Sequence, residues 1–296
     1  MSRNHLRLLL GMALLFCSTV YFAVRLAGTN PGTPNENRFG LLLYETRSGF
    51  SHIRVREKGS VRCLLFVDEN GNEQRQSAID LAAPGENQLG YTKSLFASLL
   101  FCHPQNRVLI VGLGGGGMVQ FLNHAFPGMT VEAVEIDPVV VSIAAEYFKT
   151  VPGPKTVIHT RDAFAFFEED SGGYDAIYMD AFLRPSADSE LAEKTTRLKT
   201  EDFLKILQSH LNPGGVIAFN LIEKEEETPG DVASIRHVFP GTFLFSVPNS
   251  GNLVVIGTKE SPGPDLEALR RRAVKLDEEL VSAGLSFRSL AENLRP

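Results

Sequence analysis

The sequence predicts an α/β fold in which a mostly parallel sheet carries helices on both faces and follows a small antiparallel β lobe. Beyond residue 104, short apolar runs alternate with stretches of helical length, which is typical of parallel strands joined by helical crossovers. Between residues 40 and 80, polar and apolar residues alternate instead, and Asp68-Glu-Asn-Gly is a strong turn signal. These two patterns together predict the fold class.

The elements follow from these patterns in chain order. In the lobe, residues 51–56 alternate polar and apolar side chains, and residues 62–67 form a short apolar run. Residues 91–101 predict a helix with a wide apolar face. The later predicted strands are residues 107–112, 131–136, 156–160, 174–179, 215–221, 242–247 and 252–258. The later predicted helices are residues 118–126, 139–148, 163–169, 200–211 and an amphipathic helix at 265–290.

Composition and these elements divide the chain into five parts. A hydrophobic segment occupies residues 1–27, and a Pro- and Gly-containing linker occupies 28–38. The β lobe spans 39–90, the parallel-sheet domain 91–262, and the C-terminal amphipathic helix 263–296. The net charge of −6 argues against a nucleic-acid partner, because no global basic field is present. The three cysteines have no paired spacing, so no metal site is expected.

A glycine-rich loop follows the first strand of the parallel-sheet domain and opens a helix. Gly112, Gly114 and Gly117 satisfy the G-x-G-x-x-G pattern, and Gly115 lies between them. Glycines let the backbone turn sharply and approach a ligand, and a helix start offers free N–H groups. The alternative is a tight turn without a ligand. In this strand–loop–helix context, the pattern favours a Rossmann-like nucleotide site.

Two acidic residues mark the ends of the next two strands. Glu135, followed by Ile136, stands where a carboxylate can accept hydrogen bonds from both ribose hydroxyls. Asp162, followed by Ala163, stands where a carboxylate can accept from the adenine amino group, although it could also be a plain helix N-cap. Together with the glycine loop, they favour an adenosyl nucleotide and complete the set of predicted nucleotide-binding residues.

Asp180 ends the fourth strand and is the candidate catalytic residue. In doubly wound sheets, ligands lie beyond the carboxyl ends of the strands, so Asp180 is expected to face the reacting group. Its carboxylate could orient a substrate amine or accept its proton, and the alternative is a carboxylate that caps a loop. The polar stretch that follows, residues 183–199, is long for a simple connection and is interpreted as a lid.

Four segments resemble the spermidine synthase family: Val108-Leu-Ile-Val-Gly-Leu-Gly-Gly-Gly, Val134-Glu-Ile-Asp-Pro, Arg161-Asp-Ala-Phe and Tyr174-Asp-Ala-Ile-Tyr-Met-Asp-Ala-Phe. The resemblance covers about residues 40–260. It implies the class I methyltransferase fold and a bound S-adenosylmethionine or its decarboxylated form. It also implies that Glu135 contacts the ribose, that Asp162 contacts the adenine, and that Asp180 holds the position of the family's catalytic aspartate.

The sequence departs from this family where polyamines would be recognised. Gly115 stands where true spermidine synthases carry an aspartate, and Tyr91-Thr92 and Phe50-Ser51 replace two Tyr-Gln pairs. Burying ammonium groups without carboxylates is costly. The loop and Glu135-Ile-Asp-Pro are also similar to methyltransferases related to spermidine synthase.

Three functions follow from the sequence. The favoured one is methyl transfer from S-adenosylmethionine to a small-molecule amine or a protein. The alternative is a polyamine aminopropyltransferase, and the third is a non-catalytic nucleotide-binding module. Related enzymes are commonly dimers, so a homodimer is an expectation by resemblance alone.

The N-terminal segment predicts a membrane location. Arg3 and Arg7 precede an uncharged run from Leu8 to Val24, which would rise about 25 Å as a helix. An uncleaved anchor is favoured over a cleavable signal peptide. The flanking charges argue weakly for a domain outside the cell, whereas an S-adenosyl nucleotide is a cytosolic metabolite. A membrane-anchored protein with a cytoplasmic catalytic domain is therefore expected.

Overall fold

The structure is a computed structural model that describes residues 36–86, 89–181, 197–224, 226–260 and 263–295. The chain divides into two compact units, residues 1–41 and 42–296. In the first unit, the described residues form strand β1 (Glu36–Asn37), which pairs antiparallel with Gly40 and Leu41. Glu36 and Asn37 belong to the predicted linker, whose earlier residues, 28–35, lie outside the described residues.

The β lobe is an antiparallel meander, as the sequence predicts. Its strands are β2 (Gly40–Arg47), β3 (His52–Lys58), β4 (Val61–Val67) and β5 (Glu73–Asp80). Strand β4 pairs antiparallel with β3 on one side and with β5 on the other. The register between β4 and β5 shifts after Leu64, so that β5 carries a local irregularity that bears on the site below.

The second sheet has seven strands in the order β11-β12-β10-β9-β6-β7-β8. They are β6 (Arg107–Val111), β7 (Thr130–Glu135), β8 (Thr156–Thr160), β9 (Tyr174–Met179), β10 (Leu211–Ile222), β11 (Gly241–Ser246) and β12 (Asn252–Thr258). Strands β6, β7, β8, β9 and β10 pair with one another in parallel. Strand β12 pairs antiparallel with both β10 and β11. The predicted fold class, a mostly parallel sheet with a separate antiparallel lobe, is confirmed.

The described helices are α1 (Gly90–Leu95), α2 (Gly117–Ala125), α3 (Pro138–Phe148), α4 (Ala163–Glu169), α5 (Glu201–His210), α6 (Thr228–Val238), α7 (Leu266–Glu279) and α8 (Phe287–Glu292). A 3₁₀ turn, Phe96–Leu100, continues α1. The sequence patterns do not predict α6, which carries a proline in its first turn, where proline is tolerated. At the C-terminus two helices stand where one is predicted, because Gly284 adopts a left-handed conformation between them.

Apolar side chains cover both faces of the parallel sheet. Along β6, Val108 and Ile110 pack into one buried cluster, and Leu109 and Val111 pack into another on the opposite face. A third cluster joins β3, β4 and β5 to helix α3, which ends at the buried Phe148. This cluster fixes the β lobe beside the glycine loop.

The prediction of a membrane location is wrong, because the structure does not support a membrane-spanning helix in the part of the chain that it describes. Among the described residues, no helix is long and apolar enough to cross a membrane. The longest, α7, has 14 residues and rises about 21 Å, against about 30 Å for a bilayer core. The predicted anchor at 1–27 lies outside the described residues, and so do residues 183–196 of the predicted lid.

Candidate functional site

A cleft of about 610 Å³ lies at the carboxyl ends of the parallel strands. The register explains why the predicted site residues meet there. Val111 of β6 lies beside Val134 of β7 and Met179 of β9, so the residues that follow in each strand reach the same edge. Strand β6 leads to β7 on one side and borders β9 on the other, which makes this edge a topological switch point.

The glycine loop lines one wall of the cleft through Gly112, Gly114 and Gly117. Gly112 has a φ of 100°, and a Cβ on it would lie 2.6 Å from the carbonyl oxygen of Asp180. Gly116 has a φ of 80°, and its Cβ would lie 2.2 Å from Thr150. Only glycine satisfies both constraints. The loop therefore packs closely against two neighbouring segments while its backbone borders the cleft.

Gly115 is placed differently from the other predicted loop residues, because it does not line the cleft. A Cβ on Gly115 would lie 2.9 Å from the ring of Phe148 and 3.0 Å from Oγ of Ser77. The carbonyl of Gly115 accepts a hydrogen bond from Thr150 Oγ1 at 2.7 Å. A side chain at this position would have to displace the fully buried Phe148. Gly115, where the carboxylate is missing, is thus closely packed against Phe148 and Ser77 behind the loop.

Glu135 lies beneath the glycine loop at the end of β7. Its Oε2 accepts from the backbone N–H of Leu113 at 3.0 Å, and its Oε1 accepts from that of Asp137 at 3.0 Å. Burial raises the pKa of Glu135, and these two hydrogen bonds lower it. Each carboxylate oxygen has a second lone pair, which suits it to accept from a ribose hydroxyl. Ile136 follows and also lines the cleft.

Asp162 is the N-cap of helix α4. Its Oδ1 accepts from the backbone N–H of Phe164 at 2.8 Å, so the structural role considered from the sequence is present. Asp162, Ala163 and Phe164 also line the cleft, on the same side as Ile136. Capping fixes the carboxylate at the position where an adenine amino group is expected, and that second role stays a prediction.

Asp180 lies opposite this nucleotide end and has two side-chain partners. Asn220, at the end of β10, donates to Oδ1 at 2.8 Å, and Tyr91 of α1 donates to Oδ2 at 3.3 Å. Asn252, at the start of β12, donates in turn to Oδ1 of Asn220 at 2.8 Å. Burial raises the pKa of Asp180 to about 7, and the bonds from Asn220 and Tyr91 oppose that rise. A carboxylate with this pKa can exchange a proton near neutral pH.

The sequence did not single out the partners of Asp180. Tyr91 is 89 residues away from Asp180 along the chain, so no local spacing connects them. Asn220 gives a signal, because it is a buried polar residue within the apolar run of residues 216–222 in β10. A buried amide needs a hydrogen-bond partner, and its place near the carboxyl end of β10 points to the cleft. Asn252 gives no such signal, since it follows a turn.

Other charged groups also line the cleft. Arg75 of β5 reaches it from the β lobe. Glu223 lies at the opposite rim, where Arg295 holds both of its oxygens, with the shorter contact at 2.6 Å. Among the residues that the structure describes, no group of three or more His, Cys, Asp or Glu is arranged to hold a metal ion.

Comparison with known proteins shows which family the chain resembles. Residues 88–261 match the family model described as the spermine/spermidine synthase domain. The polyamine aminopropyltransferase of Vibrio vulnificus is 31% identical over 258 residues, covering 85% of this chain and 82% of that protein. The eEF1A lysine and N-terminal methyltransferase of Xenopus laevis is 30% identical over 202 residues, covering 64% of this chain and 29% of that protein.

A solved structure gives the same fold. The spermidine synthase from Thermotoga maritima superposes with a TM-score of 0.60 at 18% identity, covering 88% of this chain and 94% of that one. At this identity the likeness supports the fold alone. The sequence matches go further, since the family model spans more than half of the chain and the Vibrio match extends beyond the parallel-sheet domain into the β lobe. The chain therefore belongs to the spermine/spermidine synthase domain family.

Proposed function

We propose that this protein is an aminopropyltransferase that moves the aminopropyl group of decarboxylated S-adenosylmethionine to an amine. The observation that carries the proposal is the partly buried Asp180, held by Tyr91 and Asn220 at the same edge of the sheet as the glycine loop. The Vibrio relative named polyamine aminopropyltransferase supports it, because that match includes part of the β lobe. The methyltransferase relative matches a smaller share of the chain.

The chemistry requires a neutral amine. An alkyl ammonium has a pKa near 10, as lysine does, so it must lose a proton before its nitrogen can attack. The nitrogen lone pair forms a bond to the methylene carbon attached to the sulfonium. The carbon–sulfur bond breaks, its electron pair stays on sulfur, and a neutral thioether leaves. Asp180 accepts the proton that the nitrogen gives up, and the rest of the site contributes by positioning.

Methyl transfer is the second candidate, and one observation favours it. Gly115 presents no carboxylate to the cleft, whereas the family resemblance implies an aspartate at this position that binds the amine of an aminopropyl donor. The Xenopus relative is named a methyltransferase. Glu135 and Asp180 suit both reactions, because both begin with an adenosyl sulfonium and an amine. The two candidates differ in the group that leaves the sulfur.

Donor identity tests the proposal. We would measure equilibrium binding of S-adenosylmethionine and of its decarboxylated form to the full chain, and identify the products with an amine mixture by mass spectrometry. We expect the decarboxylated form to bind at least about tenfold tighter and to give aminopropylated amines. Glu135→Gln should weaken the binding of both nucleotides, whereas Glu146→Gln, which changes an exposed residue of α3, should not. Methylated products alone would establish the second candidate instead, and no binding at millimolar ligand would exclude both.

A further inference from the structure

Arg75 lines the same cleft as Asp180, and its positive charge acts on Tyr91, the partner of Asp180. It lies on β5 opposite Leu65, while Ser77 lies opposite Leu64, so the residue between them, Gln76, has no opposite partner on β4. Such a bulge redirects side chains and is common beside active sites. The hydroxyl of Tyr91 lies 3.4 Å from the carbonyl oxygen of Gln76, the residue next to Arg75. Arg75 is therefore an immediate neighbour of the catalytic end.

Arg75 differs from three other arginines of the β lobe, each of which pairs with a carboxylate. Arg54 pairs with Glu45, Arg56 with Glu73 and Arg62 with Glu57. Within the described ranges, no carboxylate pairs with Arg75. The charge of Arg75 opposes the rise that burial causes in the pKa of Tyr91. Burial also raises the pKa of the Cys63 thiol, and the charge of Arg75 and a hydrogen bond from it lower that pKa in part. Arg75 is an exposed residue and lines the cleft.

The carboxylates around the cleft are engaged elsewhere. Glu135 accepts from two backbone N–H groups, and Asp137 and Asp162 cap helices. Glu223 is held by Arg295. Glu135 and Asp162 are assigned to the nucleotide, and Arg295 neutralises the charge of Glu223. Among the described carboxylates of the cleft, we therefore assign the amine to Asp180.

A diamine acceptor would place its second ammonium in an unfavourable position. One ammonium can face Asp180, but the other would meet the positive charge of Arg75 without a carboxylate to neutralise it. A like charge nearby disfavours a cation at this place. An anionic group at the same place would instead receive charged hydrogen bonds from the guanidinium, which binds carboxylates in a two-pronged geometry.

We infer that the acceptor is an amine that also carries a carboxylate, and that Arg75 binds this carboxylate while Asp180 faces the amine. Arg75 is then the residue that determines acceptor specificity. This inference rests on the proposed function, because it names the substrate class of the same site.

The test uses two matched series of acceptors of increasing chain length, α,ω-diamines and ω-amino acids, with decarboxylated S-adenosylmethionine and the full chain. At the best length, we expect kcat/KM to favour the amino acid by about tenfold. Arg75→Gln should remove this preference, mainly through KM of the amino acid, and Arg75→Glu should reverse it toward the diamine. Arg270→Gln, which changes an exposed arginine of α7, is the matched control and should leave the ratio unchanged.

Two results would overturn the inference. One is a preference for the diamine that Arg75→Gln does not alter. The other is that Arg75→Gln binds S-adenosylmethionine more weakly but binds its decarboxylated form unchanged. That result would show that Arg75 binds the carboxylate of the donor. If no acceptor is aminopropylated, the proposed function fails by itself. The inference is then tested by the binding of both series to protein saturated with methylthioadenosine, and tighter binding of the diamines would reject it.

Discussion

Asp180 shows how one side chain acquires its chemistry from residues far away in the sequence. Burial alone would keep the carboxyl group protonated, while the hydrogen bonds from Asn220 and Tyr91 favour the charged form. The resulting pKa of about 7 lets the same group exist in both forms under ordinary conditions. Tyr91 is affected in the opposite sense, since burial and the charge of Asp180 raise its pKa, so it stays a hydrogen-bond donor.

The first prediction concerns the pH dependence of the reaction. With an acceptor amine of low basicity, which is neutral throughout, kcat/KM should rise about tenfold per pH unit below pH 7 and level off above it, because Asp180 must be ionised to accept a proton. Asp180→Asn should lose this dependence and about 10²- to 10⁴-fold in rate. A wild-type profile that is flat through neutral pH would show that Asp180 is not the base.

The second prediction tests whether Asn220 adjusts the pKa of Asp180 or only supports the fold. Asn220→Ala removes a hydrogen bond that lowers the pKa of Asp180, so the midpoint of the pH profile should move to higher pH. The rate should fall at neutral pH and recover as the pH increases. Asn252→Ala, which acts through Asn220, should give a smaller shift in the same direction. An equal loss of rate at every pH would mean that Asn220 only supports the fold.

At the scale of elements, the loop between β6 and α2 combines two kinds of constraint. Its sequence spacing predicts a backbone that approaches a ligand, and Gly112, Gly114 and Gly117 do line the cleft. The spacing does not predict the direction in which a side chain would point at each of these positions. Gly115 faces the end of α3 because the third apolar cluster packs Phe148 behind it. That direction depends on a helix whose contact with the loop no local pattern encodes.

The third prediction follows from this packing. Gly115→Asp should lower the free energy of unfolding by about 1–3 kcal/mol, because the new side chain must displace Phe148. It should not increase aminopropyl transfer, although it recreates the acidic residue of true spermidine synthases. Gly128→Ala is the control, since no atom lies within 4 Å of its added Cβ, and its stability should change by less than about 0.5 kcal/mol. Chemical denaturation and the donor assay measure both effects. A stable Gly115→Asp protein with faster aminopropyl transfer would contradict this prediction.

At the scale of the whole molecule, the raised pKa of Asp180 links the site to folding. The folded-state pKa of about 7 lies above the ordinary value of 3.8, so folding favours the protonated form. The stability that this contributes is fully present below pH 3.8 and is lost as the pH rises through 7. At about 1.4 kcal/mol per pKa unit, the loss is on the order of a few kcal/mol. The ionised form of Asp180, which can accept a proton, is therefore the form in which the folded protein is less stable.

The fourth prediction tests this linkage by urea denaturation at acidic and at alkaline pH. Asp180→Asn removes the ionisable group, so the variant should lose less stability than the wild type as the pH increases, and it should be the more stable protein above pH 7. Tyr91 responds to Asp180 but titrates only at much higher pH, so the difference between the two proteins near neutral pH isolates Asp180. Parallel stability curves would show that the pKa of Asp180 is not raised.

Local sequence patterns predict the parallel sheet, the antiparallel lobe and the edge where Gly112, Glu135 and Asp180 meet. They can do so because strand periodicity, turn residues and the carboxyl-end rule act over short stretches of chain. Tertiary packing turns Gly115 away from the cleft, brings Tyr91 and Asn220 to Asp180, and places Arg75 in the same cleft. No local pattern encodes these contacts, because each of them joins segments that are distant in the sequence.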